Sequence, residues 1–184
     1  MNKESKDLNH PMEQLVQPKV SRVNYRPIKN SDELSIYHKL LSTEFLSSGG
    51  NIRDINPDEL SYFTTDGQIW AAYDDDTLVG GLTLQPYTGL IGEWWYFNNG
   101  ITHKDYRGHG ISERLIRSAI QNQQKDSNYF ALTVTNGPFL QNGFNIVTVP
   151  ELTLVDETIA QIVARKLRPD NMATICIRTG VNLS

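Results

Sequence analysis

The residues best suited to chemistry are Arg107-Gly108-His109-Gly110-Ile111-Ser112. They stand between an aromatic-rich β-type run, Glu93 to Thr102, and an apolar helical face made by Ile111, Leu115, Ile116, Ala119 and Ile120. A strand that enters a glycine-spaced loop and then opens a helix makes an anion cradle. The first helical amides have no acceptor within the helix and lie at the positive end of the peptide dipoles. Glycine lets the backbone approach an anion with no Cβ in the way. A phosphate or pyrophosphate is the expected guest. Two glycines alone are better explained by a plain tight turn before a helix, so the neighbouring residues have to decide.

Three cradle patterns compete. A dinucleotide fingerprint asks for a third glycine where this chain has Glu113. A P-loop asks for Gly-Lys-Ser/Thr after four spacers, and no such string occurs. The third pattern, Arg/Gln-x-x-Gly-x-Gly/Ala, is met from Arg107 onward with Ser112 in place of the last small residue. Upstream, Gly100-Ile101-Thr102-His103-Lys104-Asp105-Tyr106 forms an acid-aromatic lead into Arg-Gly, and downstream lies Pro138-Phe139-Leu140-Gln141-Asn142-Gly143-Phe144. These segments together resemble the GNAT superfamily of acetyl-CoA-dependent N-acetyltransferases, over the span from Tyr25 to Val149. Lys104 stands where that family often has proline.

The resemblance implies acetyl-CoA, or another acyl-CoA, as co-substrate. The amides of Gly108, His109, Gly110, Ile111, Ser112 and Glu113 would bind its pyrophosphate, with Arg107 shaping the loop. The backbone of Gly100, Ile101 and Thr102 would pair with the pantetheine arm as a short extra strand would. An amide near Ile101 or Thr102 would polarise the thioester carbonyl, and Asn136 would contact the cofactor. The implied fold is α/β (α+β): a central mixed, mostly antiparallel sheet of about six to seven strands flanked by helices, its fourth and fifth strands splayed around the cofactor.

The implied reaction is direct attack of a primary amine, on a small molecule or a peptide, at the thioester. An alkylamine with a pKa near about 10 is mostly protonated at neutral pH, so a base is useful. The chain departs from the family here. The usual acid is a tyrosine where this sequence has Phe139, and the strand Tyr129 to Thr135 has no carboxylate. Glu93 is the base candidate by type, although far along the chain from Arg107, and Asn98 and Asn99 are candidates to hold a relaying water. His103 and His109 titrate near neutrality but lie beside the phosphate loop, where cofactor contact or exposure is the simpler role. The departures keep a second class open: a CoA-binding module with little or no transferase activity, acting as a sensor or interaction protein.

The elements that must position these residues follow from periodicity. Strands are expected at Val20 to Ile28, Ile69 to Tyr73, Leu78 to Gln85, Glu93 to Thr102, Tyr129 to Thr135, Phe144 to Val149 and Met172 to Arg178. Asn98-Asn99-Gly100 interrupts the fourth and suggests a bulge. Helices are expected at Asp32 to Leu46, at Asn56 to Phe63, from Ile111 to about Gln124, and at Val155 to Leu167. Gly137-Pro138 and Asn142-Gly143 read as turns. Alternation along Trp94, Trp95, Tyr96 and Phe97 predicts one buried face, leaving the other for a substrate cleft or a homodimer surface.

Composition bounds the rest. With 184 residues the chain suits one domain, here 20–184, behind a polar and flexible extension at 1–19. A net charge of -4 weighs against a nucleic-acid partner. No stretch approaches the roughly 20 apolar residues of a membrane span, and the N-terminus lacks the apolar middle of a signal peptide. The single Cys176 permits no intrachain disulfide and reads as a buried strand thiol, so a cytoplasmic setting is expected. The run Asp74-Asp75-Asp76 lacks the rest of a calcium loop and reads as a solvated turn, so no metal is expected.

Overall fold

The computed structural model describes residues 22–47, 68–123, 126–167 and 173–180. The extension at 1–19 and the short helix expected from Asn56 lie outside them. The strands are β1 (Val23–Pro27), β2 (Ile69–Asp74), β3 (Thr77–Gly89), β4 (Gly92–Thr102), β5 (Asn128–Thr133), β6 (Asn145–Val147) and β7 (Thr174–Arg178). The helices are α1 (Ser31–Ser47), α2 (Ile111–Gln121), α3 (Gly137–Leu140), α4 (Val149–Val155) and α5 (Glu157–Lys166). The strands form one sheet in the order β1-β2-β3-β4-β5-β7-β6. Among the described strands only β4 and β5 pair in parallel; α2 is the crossover between them.

The sheet is covered on both faces. Ile111, Leu115, Ile116 and Ala119 of α2 pack with Trp70, Leu82, Leu84, Trp95 and Phe97. The alternate residues of β2, Ile69, Ala71 and Tyr73, pack on the opposite face with Tyr37, Leu40 and Leu41 of α1. On that same face, Trp94, Tyr96 and Phe130 pack with Leu152 of α4 and Ile159, Ala160 and Val163 of α5. The expectation that only one face of Trp94 to Phe97 is buried is therefore corrected: all four side chains are buried. Helices from three distant parts of the chain supply both covers, which alternation within one strand does not reveal.

The helix expected from Val155 to Leu167 is α5, which starts at Glu157, and a helix not expected from the sequence, α4, precedes it. Thr148 and Glu151 form a capping box that starts α4 around Pro150. Asp156 then ends α4 in extended backbone and caps α5, its Oδ1 accepting from the Ile159 amide at 3.1 Å. Strand β5 stops at Thr133 rather than Thr135, because the Thr133 hydroxyl turns back on the Thr135 backbone, with both contacts at 3.0 Å. Gly137-Pro138, read as a turn, opens the single helical turn α3, with proline in the first turn where its missing amide costs nothing. Cys176 is buried, and burial pushes its thiol pKa up.

Candidate active site

The site is a parting of strands. Strand β4 pairs with β3 almost along its whole length, but with β5 only from Trp94 to Phe97. Beyond Phe97 its β5-facing edge has no strand beside it among the described residues, while β5 continues along β7 to Thr133. An unpaired strand edge in a cleft is a template for an extended guest.

A bulge stands at the mouth of this gap. Gly81 pairs with Ile101 and Thr83 with Asn98, so Asn99 and Gly100 together oppose Leu82 alone. Asn99 has φ of 50°, the left-handed region that asparagine tolerates better than most residues. The bulge is held from inside by side chains. The Thr83 hydroxyl donates to the Asn98 carbonyl at 3.1 Å, the Asn98 side-chain oxygen accepts the Asn99 amide at 2.9 Å, and the Tyr37 hydroxyl donates to the Asn99 carbonyl at 2.6 Å.

The glycine loop follows. His103 donates its amide to the Val79 carbonyl at 2.9 Å and accepts the Asp105 amide on Nδ1 at 3.3 Å, starting one 3-10 turn over Lys104–Tyr106. The Tyr106 hydroxyl donates to Asp74 at 2.6 Å, and this bond pushes its pKa up to about 12. Arg107 reaches back, donating Nη2 to the buried Glu44 of α1 at 2.5 Å and Nε to the Thr102 carbonyl at 3.2 Å. Its charge is thereby committed to bracing the loop against α1 and the end of β4.

Gly108 and Gly110 have φ of 79° and 74°, so both need glycine's freedom. A Cβ at Gly108 would meet nothing within 4 Å, and one at Gly110 only the Glu113 carboxylate at 3.9 Å. Gly110 opens α2 with no side-chain cap, and the first helical amide donation is from Arg114 to the Gly110 carbonyl at 3.1 Å. The amides of Ile111, Ser112 and Glu113 therefore have no cap among the described residues. Ser112 and Thr102 exchange a hydroxyl hydrogen bond at 3.1 Å, fastening the helix start to the end of β4. Gly80 permits this approach, since a Cβ there would lie 3.0 Å from Ile111 and 3.1 Å from the Ile101 carbonyl.

The structure thus brings Gly100, Ile101 and Thr102 together with Arg107 to Glu113 around one opening. Asn98 and Asn99 lie in the bulge itself. Asn136 sits between β5 and α3, its carbonyl accepting from the Phe139 and Leu140 amides. Glu93 is not brought to this group. It is exposed at the start of β4 opposite Thr88, seven strand residues from Gly100, which is on the order of 20 Å. Phe139 packs edge-on to Phe97 and Phe144, with ring centroids 5.8 and 5.2 Å away. Three residues to which the sequence assigned no bracing role contribute here: Tyr37, Glu44 and Asn142. Asn142 donates to the Glu113 and Pro138 carbonyls at 3.0 and 2.7 Å and ties α3 to the first turn of α2. Each is a side chain on a distant element that holds a backbone group, and no local motif announces that.

An uncapped helix start, empty space above two glycines and a free strand edge next to them fit a guest with a diphosphate and an extended amide-bearing arm. Among the described residues no group of three or more His, Cys, Asp and Glu side chains is placed to hold a metal ion, and no helix is long and apolar enough to cross a membrane.

Comparison with known proteins agrees with this geometry. Residues 65–146 match the family model of the acetyltransferase (GNAT) domain. Comparison with curated protein sequences gave no match. Among solved structures, N-acetylglutamate synthase from Neisseria gonorrhoeae, complexed with coenzyme A and N-acetyl-glutamate, is similar at TM-score 0.64 and 17% identity, covering 87% of this chain. The chain spans only 35% of that protein's length. The NatC complex bound to Gag peptide and CoA is similar at TM-score 0.62 and 16% identity, covering 86% of this chain and 98% of the other. A GNAT family acetyltransferase from Bacillus cereus is similar at TM-score 0.54 and 15% identity, covering 87% and 99%. The fold is the mixed, mostly antiparallel α/β fold of these acetyltransferases, and the segment with the loop, the bulge and the strand gap lies within the residues that match the GNAT domain model.

Proposed function

We propose that this protein transfers an acetyl or other acyl group from acyl-CoA to a primary amine of a small molecule or a peptide. The observation that carries this is the gap between β4 and β5, with a bulge at its mouth and the uncapped start of α2 beside it. The amides of Gly108 to Glu113 hold the pyrophosphate, and the free edge of Gly100 to Thr102 pairs with the pantetheine arm. The thioester then lies at the bulge, where a backbone amide supports negative charge growing on its carbonyl oxygen. The bound acyl-CoA supplies the activated acyl group. The chain's own residues hold it still and exclude water from its inner end.

The leaving thiolate, with a thiol pKa of about 8.5, departs without a strong acid, which suits the presence of Phe139. Proton removal from the amine is assigned to water held by the Asn98 and Asn99 carboxamides. Glu93 has no role in this proposal. The neighbours support the substrate class: one binds N-acetyl-glutamate and another a peptide, each with CoA. The test is thiol release from acetyl-CoA by the purified chain over a panel of primary amines. Phe139 favours one other reading, a CoA-binding module without turnover, and binding with no release on any amine would select it.

A feature beside the bulge bears on the acceptor. Helix α5 begins with Asp156 against Trp94 and ends with Lys166, whose Nζ lies 4.9 Å from the Tyr96 ring and 5.6 Å from the Tyr87 ring. The end of the helix therefore sets the Lys166 ammonium group over the aromatic rings of β3 and β4. Tyr96 is one two-residue step from Asn98 on the same face, about 7 Å. Among the described residues no carboxylate pairs with Lys166. Amines that carry a carboxylate are expected to be the better acceptors, with Lys166→Met raising their KM about tenfold and leaving uncharged amines unaffected. Equal rates for an amino acid and its methyl ester would contradict this.

A further inference from the structure

The first turns of α1 lie far from the glycine loop in sequence, yet one α1 side chain reaches the bulge. Tyr37 is fully buried, and its hydroxyl makes a 2.6 Å hydrogen bond to the Asn99 carbonyl. The ring lies directly on Gly81: a Cβ there would fall 2.6 and 2.8 Å from two of its carbons. Gly81 pairs with Ile101, so the ring occupies the place where any larger residue would prop it off β3, next to the bulge.

The consequence is geometric. In a planar trans peptide the carbonyl and the following N–H point in opposite directions. Fixing the Asn99 carbonyl toward α1 therefore fixes the plane of the Asn99–Gly100 peptide and the direction in which the chain leaves toward Ile101 and Thr102. The neighbouring peptide is held too, by Thr83 on the Asn98 carbonyl and by Asn98 on the Asn99 amide. Asn99 stays at φ of 50°, a conformation costing about 1 kcal/mol that persists only where the surroundings over-determine it. Among the described residues the other non-glycine with positive φ is Asp75, in the β2–β3 hairpin turn. Relaxing Asn99 to ordinary strand geometry would remove the bulge and reverse the facing of every later β4 side chain.

We infer that Tyr37 is a positioning residue for acyl transfer, holding the bulge so that the β4 amides beyond it meet the thioester carbonyl. The inference rests on the acyl-CoA reading above. Tyr37 touches neither acyl group nor amine; it acts through the Asn99 peptide. Its hydroxyl is a permanent donor, because complete burial keeps the phenol's pKa far above its ordinary range.

The test uses acetyl-CoA labelled with carbon-13 at the thioester carbonyl, bound to the full chain and to Tyr37→Phe. Phenylalanine keeps the ring on Gly81 and removes only the hydroxyl. Acetyl-CoA affinity by calorimetry is expected to stay within about threefold, because no hydrogen bond of the pyrophosphate loop involves the Tyr37 hydroxyl. The bound carbonyl resonance is expected to move back toward its free value, and kcat to fall on the order of tenfold at unchanged KM for acetyl-CoA. Gly81→Ala, which keeps the hydroxyl but lifts the ring and carries it away from the Asn99 carbonyl, is expected to shift the resonance the same way and decides the matter if Tyr37→Phe does not fold. An identical resonance in parent and variants would overturn the role of Tyr37 and leave the acyl-CoA reading standing. Failure of the parent chain to bind acetyl-CoA would overturn both.

Discussion

Gly110→Asp is expected to reduce CoA and acetyl-CoA affinity by at least about a hundredfold while leaving the protein folded. Gly110 has φ of 74° and precedes the uncapped amides of α2. Aspartate tolerates that backbone region better than most residues, at about 1 kcal/mol, and is a preferred helix cap. The new carboxylate would therefore bond to the amides that the diphosphate needs. It would also stand about 4 Å from diphosphate oxygens, a repulsion on the order of 4 kcal/mol at the effective dielectric of a protein surface. Gly110→Ala separates the two effects. A methyl group there meets only the Glu113 carboxylate at 3.9 Å, so the loss should be the backbone cost alone, about fivefold. Titration calorimetry on both variants, with melting temperatures as the control for folding, makes the comparison. Full affinity in the aspartate variant would mean that the α2 amides are not the diphosphate site.

Asp156→Ala should give the largest loss of stability among single changes near the site, roughly 3–5 kcal/mol. Asp156 is only 1% exposed and accepts three hydrogen bonds: from the Ile159 amide at 3.1 Å, the Trp94 indole at 3.0 Å and the Ile91 amide at 3.1 Å. The indole is buried with no alternative acceptor among the described residues, so truncation leaves it unsatisfied and removes the cap of α5 as well. A Cβ at Gly89 would fall 2.2 Å from the Asp156 carboxylate, which shows how closely the β3–β4 hairpin closes on it. Against a typical total of about 5–15 kcal/mol this is a large fraction. Asp156→Asn keeps the shape and part of the acceptor capacity, and should lose less. Chemical denaturation of the three proteins measures the order. A loss below about 1 kcal/mol for alanine would show that water replaces the carboxylate.

The loop's backbone geometry was legible in the sequence because its causes are local. Positive φ at Gly108 and Gly110, an uncapped helix start at Ile111 and a β-run ending at Thr102 follow from residue types a few positions apart. The asparagine-glycine interruption of β4 likewise announced its bulge, since few other pairs enter the left-handed region cheaply. The mixed, mostly antiparallel sheet followed from hairpin turns and one apolar crossover helix. Tertiary structure alone decided what braces these parts. Glu44 and Tyr37 come from α1, more than sixty residues from the groups they hold, Arg107 and Asn99. It also decided that both faces of Trp94 to Phe97 are buried, and that a further helix, α4, ends at Asp156, whose carboxylate accepts from the Trp94 indole. Backbone conformation is set by neighbours along the chain, whereas burial and long-range hydrogen bonds depend on which distant surfaces meet. Motifs report the first and carry no record of the second.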